Sequence, residues 1–415
     1  MAKWTRRNFG AASLGTLFSA RVLARDAIIG GESVDRLKKL DDAMAAAVTG
    51  GRTAGVVTLV AQHGQIKHLG AVGRRDLASD APMTTDAIFR IASMTKPITG
   101  VAMMMLREEG LWDLDDAVAR YVPAFEHLSV IAGDAERIPA RRAMTMRDLM
   151  RQTSGLAYVV LDHPVDQLYR AQDVLDPDSN LAAMIGKLAK LPLAFQPGER
   201  WYYSIGVDVQ GYIIEQLSGQ RLDTFLADRI FAPLGMTDTD FHVPPGKIER
   251  LATLYVYDQH GTLTPKADRH VPSEQPGLLS GGSGLYSTAM DFLHFCQMML
   301  NDGEWKGTRL LKRESVAAMR ADQMPPGVAY GLFGPEPGEA FGLDVAVTTD
   351  PAAAHTPRGA GSYWWGGGYG TWFSIDPVNK LILIGMNQLT DNAAYTSAEL
   401  RIRSEAVTYA ALVKP

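Results

Sequence analysis

Residues 91–100, IASMTKPITG, set a serine and a lysine three positions apart where a helix must begin. Pro97 is tolerated in the first turn of a helix and not in its interior, so the helix carrying Met103, Met104 and Leu106 starts within a residue or two of Ser93. Ser93 could then be the helix cap and Lys96 a solvated first-turn lysine. Yet a lysine there meets the positive end of the helix dipole, on the same face as the serine. The alternative is chemical: a desolvated Lys96 of lowered pKa takes the proton from Ser93, and the helix end favours the oxyanion that follows.

Outward from this stretch the chain reads as mixed α/β. VVTLVAQHGQIKHLGAV (56–72) is two strand-like runs about Gly64, and TWFSI (371–375) and LILIGMNQ (381–388) flank a DPVNK turn with Pro377 and Asn379. Between these hairpins the apolar spacing is helical: ITGVAMMMLREEG with Gly110 as a stop, TMRDLMRQT, NLAAMIGKLAKL, VDVQGYIIEQLSG and AMDFLHFCQMMLNDG. The ends supply strands and the middle supplies helices, which predicts one sheet built from both ends with a helical region inserted. The expected sheet region is about 40–105 and 285–415, the helical region about 106–284. AAYTSAELRIRSEAVTYAALV is expected to form a last helix over one face of the sheet, and the Pro/Gly-rich stretch from Met324 to Gly342 an irregular surface connection.

A chain of 415 residues, 46% hydrophobic and 21% charged, has material for a real core and a buried site. A net charge of −5 without a long Lys/Arg cluster argues against a nucleic-acid partner. The nine histidines and the single Cys296 show no metal-ligand spacing, so neither metal nor cofactor is expected, and Cys296, among apolar residues, reads as a core thiol. At the start, TRRNFGAASLGTLFSARVLA resembles a twin-arginine export signal over residues 1–24, with Arg6 and Arg7 adjacent and small residues before a cleavage point. It implies the export machinery as a partner and a periplasmic or secreted location in a bacterium. No later uncharged run approaches the 18 or so apolar residues that span a bilayer, so no stable membrane insertion is expected.

Two further stretches carry chemical signals. In PGERWYYSIGVDVQGYIIEQLSG, Tyr203 and Ser204 directly precede a helix, from where a phenol can reach a neighbouring site. In GSYWWGGGYGTWFSIDP, Gly366, Gly367 and Gly368 interrupt a strand-like run, which suits a strand that another backbone or a ligand approaches closely and that can give a backbone N–H to an oxyanion.

In this order, SMTK, YSI (Tyr203 to Ile205) and WGG (Trp365 to Gly367) resemble the three motifs of the serine β-lactamase and penicillin-binding-protein superfamily, on its class C side and most closely its family VIII carboxylesterases. MTMRDLMRQTSGL and SGGSGLYSTAMDFLHF are similar to two supporting segments, and the resemblance spans roughly residues 40 to 390. It implies an antiparallel sheet flanked by helices beside an all-helical domain, residues 25–415 forming one catalytic unit. It also implies Ser93 as nucleophile, Lys96 and Tyr203 sharing the general-base work, and an oxyanion hole from the backbone N–H groups of Ser93 and Gly368. Trp365, Gly366, Gly367 and Ile205 would line the substrate, a small-molecule ester.

Departures from the family pattern bear on the substrate. Trp365 stands where penicillin-recognising members carry a lysine beside the substrate carboxylate, and Ile205 stands where an asparagine helps hold an amide. Arg358 is a candidate replacement for the missing cation. No Gly-x-Ser-x-Gly elbow occurs, which excludes an α/β-hydrolase scaffold. The expectation is a serine esterase for short or medium acyl chains. The alternatives are a β-lactamase or D-alanyl-D-alanine carboxypeptidase, a nylon-oligomer-type amide hydrolase or acyltransferase, or a catalytically silent cell-wall-binding relative.

Overall fold

Two apolar hairpins from opposite ends of the chain meet edge to edge and form the centre of one sheet. The computed structural model describes residues 33–133, 136–331, 333–390 and 394–413; the twin-arginine stretch lies outside the described residues. Eight antiparallel strands make the sheet: β1 (Gly55–Gln62), β2 (Gln65–Asp76), β3 (Ala81–Pro82), β4 (Glu339–Phe341), β5 (Ala346–Thr348), β6 (Tyr363–Gly367), β7 (Thr371–Asp376) and β8 (Leu381–Met386), in the order β4-β5-β6-β7-β8-β1-β2-β3. The β1–β2 turn places His63 at φ 52° and Gly64 at φ 74°, both in the left-handed region that matches the twist of a two-residue hairpin. The seam between chain ends is β1 on β8, with Leu59 opposite Ile384.

Both β7 and β8 are buried at every position, and burial on both faces explains why β8 is apolar throughout instead of alternating. Val56, Val60, Trp372, Leu381 and Leu383 face helices α1 (Ser33–Thr49) and α5 (Ala394–Leu412) through Leu40, Met44, Leu400 and Tyr409. Val57, Leu59, Phe373, Ile375, Ile382 and Ile384 face the main core. That core also takes in α2 (Thr95–Glu108), α3 (Gly206–Ser218) and α4 (Ala289–Leu300), which carries the buried, unpaired Cys296. α2 stops just before Gly110, whose φ of 78° ends the turn, as expected.

The inserted region is mainly helical but not all-helical. Ser129–Ala132 pairs with Glu136–Pro139, and Tyr255–Tyr257 with Leu263–Pro265, in ribbons too short to show a period in sequence. The Met324–Gly342 stretch is likewise more than a surface connection: Ala329–Tyr330 pairs in parallel with Arg200–Trp201, and Glu339–Phe341 is the edge strand β4. Only the pairing of Ala329–Tyr330 with Arg200–Trp201 joins segments remote in sequence, and local composition carries no trace of it.

Candidate active site

Ser93 does not cap its helix. It sits in a 3₁₀ turn, Ala92–Met94, and neither this turn nor α2 has a side-chain cap. Ala92 is held at φ 45°, a conformation that disfavours any residue with a Cβ and is kept at this turn by its surroundings. Ser93 Oγ instead accepts from Lys96 Nζ at 3.2 Å. Lys96 is wholly buried, and its ammonium also donates to the Gly282 carbonyl at 2.8 Å.

The segment that supplies Gly282 is pressed against α2. Thr99 Oγ1 donates to the Gly281 carbonyl at 2.7 Å and Leu285 N to Thr95 Oγ1 at 3.2 Å. A Cβ on Gly281 would meet Val207 O at 2.7 Å and one on Gly282 would meet Asp208 Oδ2 at 2.6 Å, so only glycine lets this loop approach. Asp208, on α3, anchors the loop from below by accepting from Ser280 Oγ and from Gly282 N.

Two tyrosines close over the lysine. Lys96 Nζ lies 4.7 Å from the centre of the Tyr203 ring and 5.3 Å from that of Tyr158, and the two rings meet edge to face at 5.3 Å. Tyr203 also stacks on Trp201 at 6.1 Å and contacts Trp365 at 5.6 Å. Tyr202 is turned away, its hydroxyl donating to Asp166 at 2.6 Å, so the two adjacent tyrosines have different surroundings. In the sequence Tyr158 reads as one more apolar position of GLAYVV, two residues after the Thr-Ser-Gly-Leu segment, and nothing local marks it.

The electrostatics correct one expectation. Burial pulls the Lys96 pKa down, but the phenol oxygens of Tyr158 and Tyr203 and the Asp208 carboxylate outweigh it and hold the ammonium above the ordinary lysine value. Burial pushes the Asp208 carboxyl up, with Lys96 the largest influence opposing the rise. Burial raises the Tyr158 phenol as well.

The glycine strand reaches the nucleophile turn. A Cβ on Gly367 would collide with the Ile91 carbonyl and Thr371 Oγ1, and Thr371 Oγ1 itself donates to Ile91 O at 3.1 Å, so β6 ends against the residue two before Ser93. Gly366 is half-buried beside it, and Gly368 follows, exposed and with open space around its α-carbon. Trp365 is buried between Tyr203 and Phe341. Ile205 is fully buried at the start of α3, its N–H donating to Ala157 O at 3.0 Å; it packs the helix and gives a ligand no surface. Trp372 lies on the opposite face of the sheet, away from the site.

Arg358 is not available to a substrate. It is 3% exposed, bonded to Glu339 at 2.7 Å and Glu405 at 2.8 Å, with its guanidinium 4.8 Å from the Trp364 ring. It ties the last helix to the sheet edge. Among the described residues no group of three or more His, Cys, Asp or Glu side chains could hold a metal ion, and no helix is long and apolar enough to cross a membrane.

The Beta-lactamase family model matches residues 40–407. Protein Rv1367c of Mycobacterium tuberculosis (strain ATCC 25618 / H37Rv) is 39% identical over 350 residues, covering 81% of this chain and 86% of that protein. Esterase EstB of Burkholderia gladioli is 34% identical over 376 residues, 86% of this chain and 90% of the esterase. The solved structure of EstCE1, a hydrolase with promiscuous acyltransferase activity, superposes with a TM-score of 0.78 at 26% identity, covering 91% of this chain and 99% of that one.

Proposed function

The chain belongs to the Beta-lactamase family and is a serine hydrolase of that fold, and from this we propose that it cleaves neutral carboxylic esters of short or medium acyl chains through an acyl-enzyme on Ser93. One observation carries the ester preference: the end of β6 offers an indole, Trp365, and the nearby Arg358 is consumed by Glu339 and Glu405. β-Lactams and D-alanyl peptides carry a carboxylate close to the scissile bond. Burying that charge without a cation costs several kcal/mol, and a neutral ester escapes the penalty. The likeness to Esterase EstB supports the same class.

In the reaction, Ser93 Oγ attacks the acyl carbon as the Tyr203 and Lys96 pair, sharing the general-base work, takes up the Oγ proton across the Lys96 Nζ to Ser93 Oγ contact. The oxyanion sits between the backbone N–H groups of Ser93 and Gly368, where one donor is worth about 100- to 1,000-fold in rate. Tyr203 returns the proton to the leaving alkoxide, the alcohol departs, and water repeats the cycle on the acyl-enzyme. Trp365, Gly366 and Gly367 border the substrate. Residues 1–24 direct the chain through the twin-arginine route to the periplasm or beyond, a reading supported by Arg6, Arg7 and the weakly apolar run behind them.

The experiment compares p-nitrophenyl butyrate with nitrocefin on the purified enzyme. Ester turnover should lead by at least about 100-fold in kcat/KM, the discrimination that one unpaired buried charge supplies. Trp365→Lys should narrow the gap. Equal efficiency on the two substrates in the unmodified enzyme would refute the ester assignment.

A further inference from the structure

We propose that Gln152 is a positioning residue for Tyr203, a clamp that grips the chain on both sides of the tyrosine and sets where its phenol stands above Lys96. The inference rests on Tyr203 being catalytic, as argued above. The Tyr202 N–H donates to the Gln152 backbone carbonyl at 2.8 Å, while the Ser204 N–H at 3.0 Å and the Ser204 hydroxyl at 2.8 Å both donate to Gln152 Oε1. Tyr203 is thus bracketed by three hydrogen bonds to one residue.

The backbone at this position makes the side chain hard to explain otherwise. Gln152 lies at φ 62°, directly after the short helix Met146–Met150 and its C-cap Arg151, and Thr153 N reaches back to Asp148 O at 2.8 Å. This is the left-handed helix stop that glycine fills without strain. A fully buried glutamine there carries both backbone strain and the burden of a desolvated amide, which a role in chain reversal alone does not require. The amide is used on the Ser204 side, and its Nε2 faces the Asp344 carboxyl, with no hydrogen-bond partner of full geometry among the described residues.

Asp344 extends the clamp into the fold. It lies in the β4–β5 turn at φ 60°, its N–H donates to Met150 O at 2.9 Å, and its Oδ1 accepts from Gln210 Nε2 of α3 at 3.2 Å. A Cβ on Gly100 would meet Asp344 Oδ2 at 2.9 Å, so the same carboxyl also abuts α2, the helix of Lys96. Gln152 therefore links the tyrosine to the sheet edge and to both helices that carry the site.

The test is a double-mutant cycle on p-nitrophenyl butyrate. Gln152→Gly suits the backbone and removes the amide, so the protein should stay folded while kcat falls about 10- to 100-fold, the loss that a misplacement of about 1 Å brings, with KM changed less than about threefold. In a Tyr203→Phe background the same change should cost less than about twofold, because the clamp then has nothing to position. A full kcat in Gln152→Gly, or an equal loss with and without the Tyr203 hydroxyl, overturns the proposal. Should Gln152→Gly not fold, Ser204→Ala, which removes one of the three bonds, enters the same cycle under the same criteria. If Tyr203→Phe alone kept the full rate, the catalytic reading would fall first, and the two failures are told apart by that single variant.

Discussion

Replacing Lys96 by alanine withdraws the cation buried beneath Ser93, and the consequence should be legible in the pH dependence of stability as well as in lost turnover. Asp208 is fully buried, and in the variant it keeps only the Ser280 hydroxyl and the Gly282 N–H, with Oδ2 already lacking a partner among the described residues. Removing one member of a buried charge pair costs about 3–5 kcal/mol when the other must stay charged. Protonation of Asp208 relieves that cost. Burial already raises its pKa and Lys96 is the largest influence holding it down, so the variant's folded carboxyl should titrate higher still, each unit being worth about 1.4 kcal/mol. An acid whose pKa is raised on folding gives its full stability below its unfolded value, about 3.9, and loses it as pH rises through the folded value. The deficit of Lys96→Ala against the unmodified protein should therefore be larger at pH 8 than at pH 5, by at least about 1 kcal/mol in urea unfolding. Adding Asp208→Asn should flatten the difference. A deficit equal at both pH values, or larger at pH 5, would refute the pairing of Lys96 with Asp208. Ester turnover should be nearly abolished at either pH.

The adjacent tyrosines give a paired experiment. Tyr203→Phe should lower kcat about 100-fold or more, the range of a general acid or base, whereas Tyr202→Phe should leave kcat nearly intact and cost about 1–3 kcal/mol of stability through its lost bond to Asp166; equal kinetic losses would show that the two roles are not separated. Asp148 is fully buried and accepts from Arg142, Arg151, Thr153 and the Thr145 N–H, and although burial opposes it, this set holds its carboxyl below the usual range. Its stabilisation is present above the unfolded value and should vanish as pH falls through the folded one; Asp148→Asn should cost about 3–5 kcal/mol near neutrality and less in acid, measured by urea unfolding. Changing Arg6 and Arg7 to lysine together should strand active enzyme in the cytoplasm on cell fractionation, and unchanged periplasmic activity would dismiss the twin-arginine assignment.

The sheet was legible because its two hairpins carry their own punctuation. Gly64 in one turn and the DPVNK loop in the other lie between runs apolar enough to need burial, and β1 and β8 then meet along their free edges. The ribbons at Ser129–Ala132 and Tyr255–Tyr257 and the edge strand Glu339–Phe341 were not legible. Each has only three or four residues, too few for an alternating pattern to show.

The site divides along the same line. Lys96 and the glycines announce themselves because each breaks a local rule, a lysine at the wrong end of a dipole and three glycines in a strand, whereas Ser93 and Tyr203 are ordinary locally and stand out only through the resemblance of SMTK and YSI to family motifs. Tyr158, Asp208 and Gln152 break none that a linear reading can see. A tyrosine after Gly-Leu-Ala, an aspartate in the first turn of α3 and a glutamine after a short helix are all ordinary in sequence. What marks them is burial without neutral company: an acid and an amide at the floor of a core, each with an atom lacking a partner among the described residues. Arg358 shows the converse. A free arginine a few residues from the glycine strand invites a role with substrate, and only the positions of Glu339 and Glu405, one from a strand and one from the last helix, reveal that its charge is already spent on holding the sheet edge. With that charge accounted for, the end of β6 brings a buried indole and, among the described residues, no free arginine, and this is the ground on which the proposed preference for neutral esters stands.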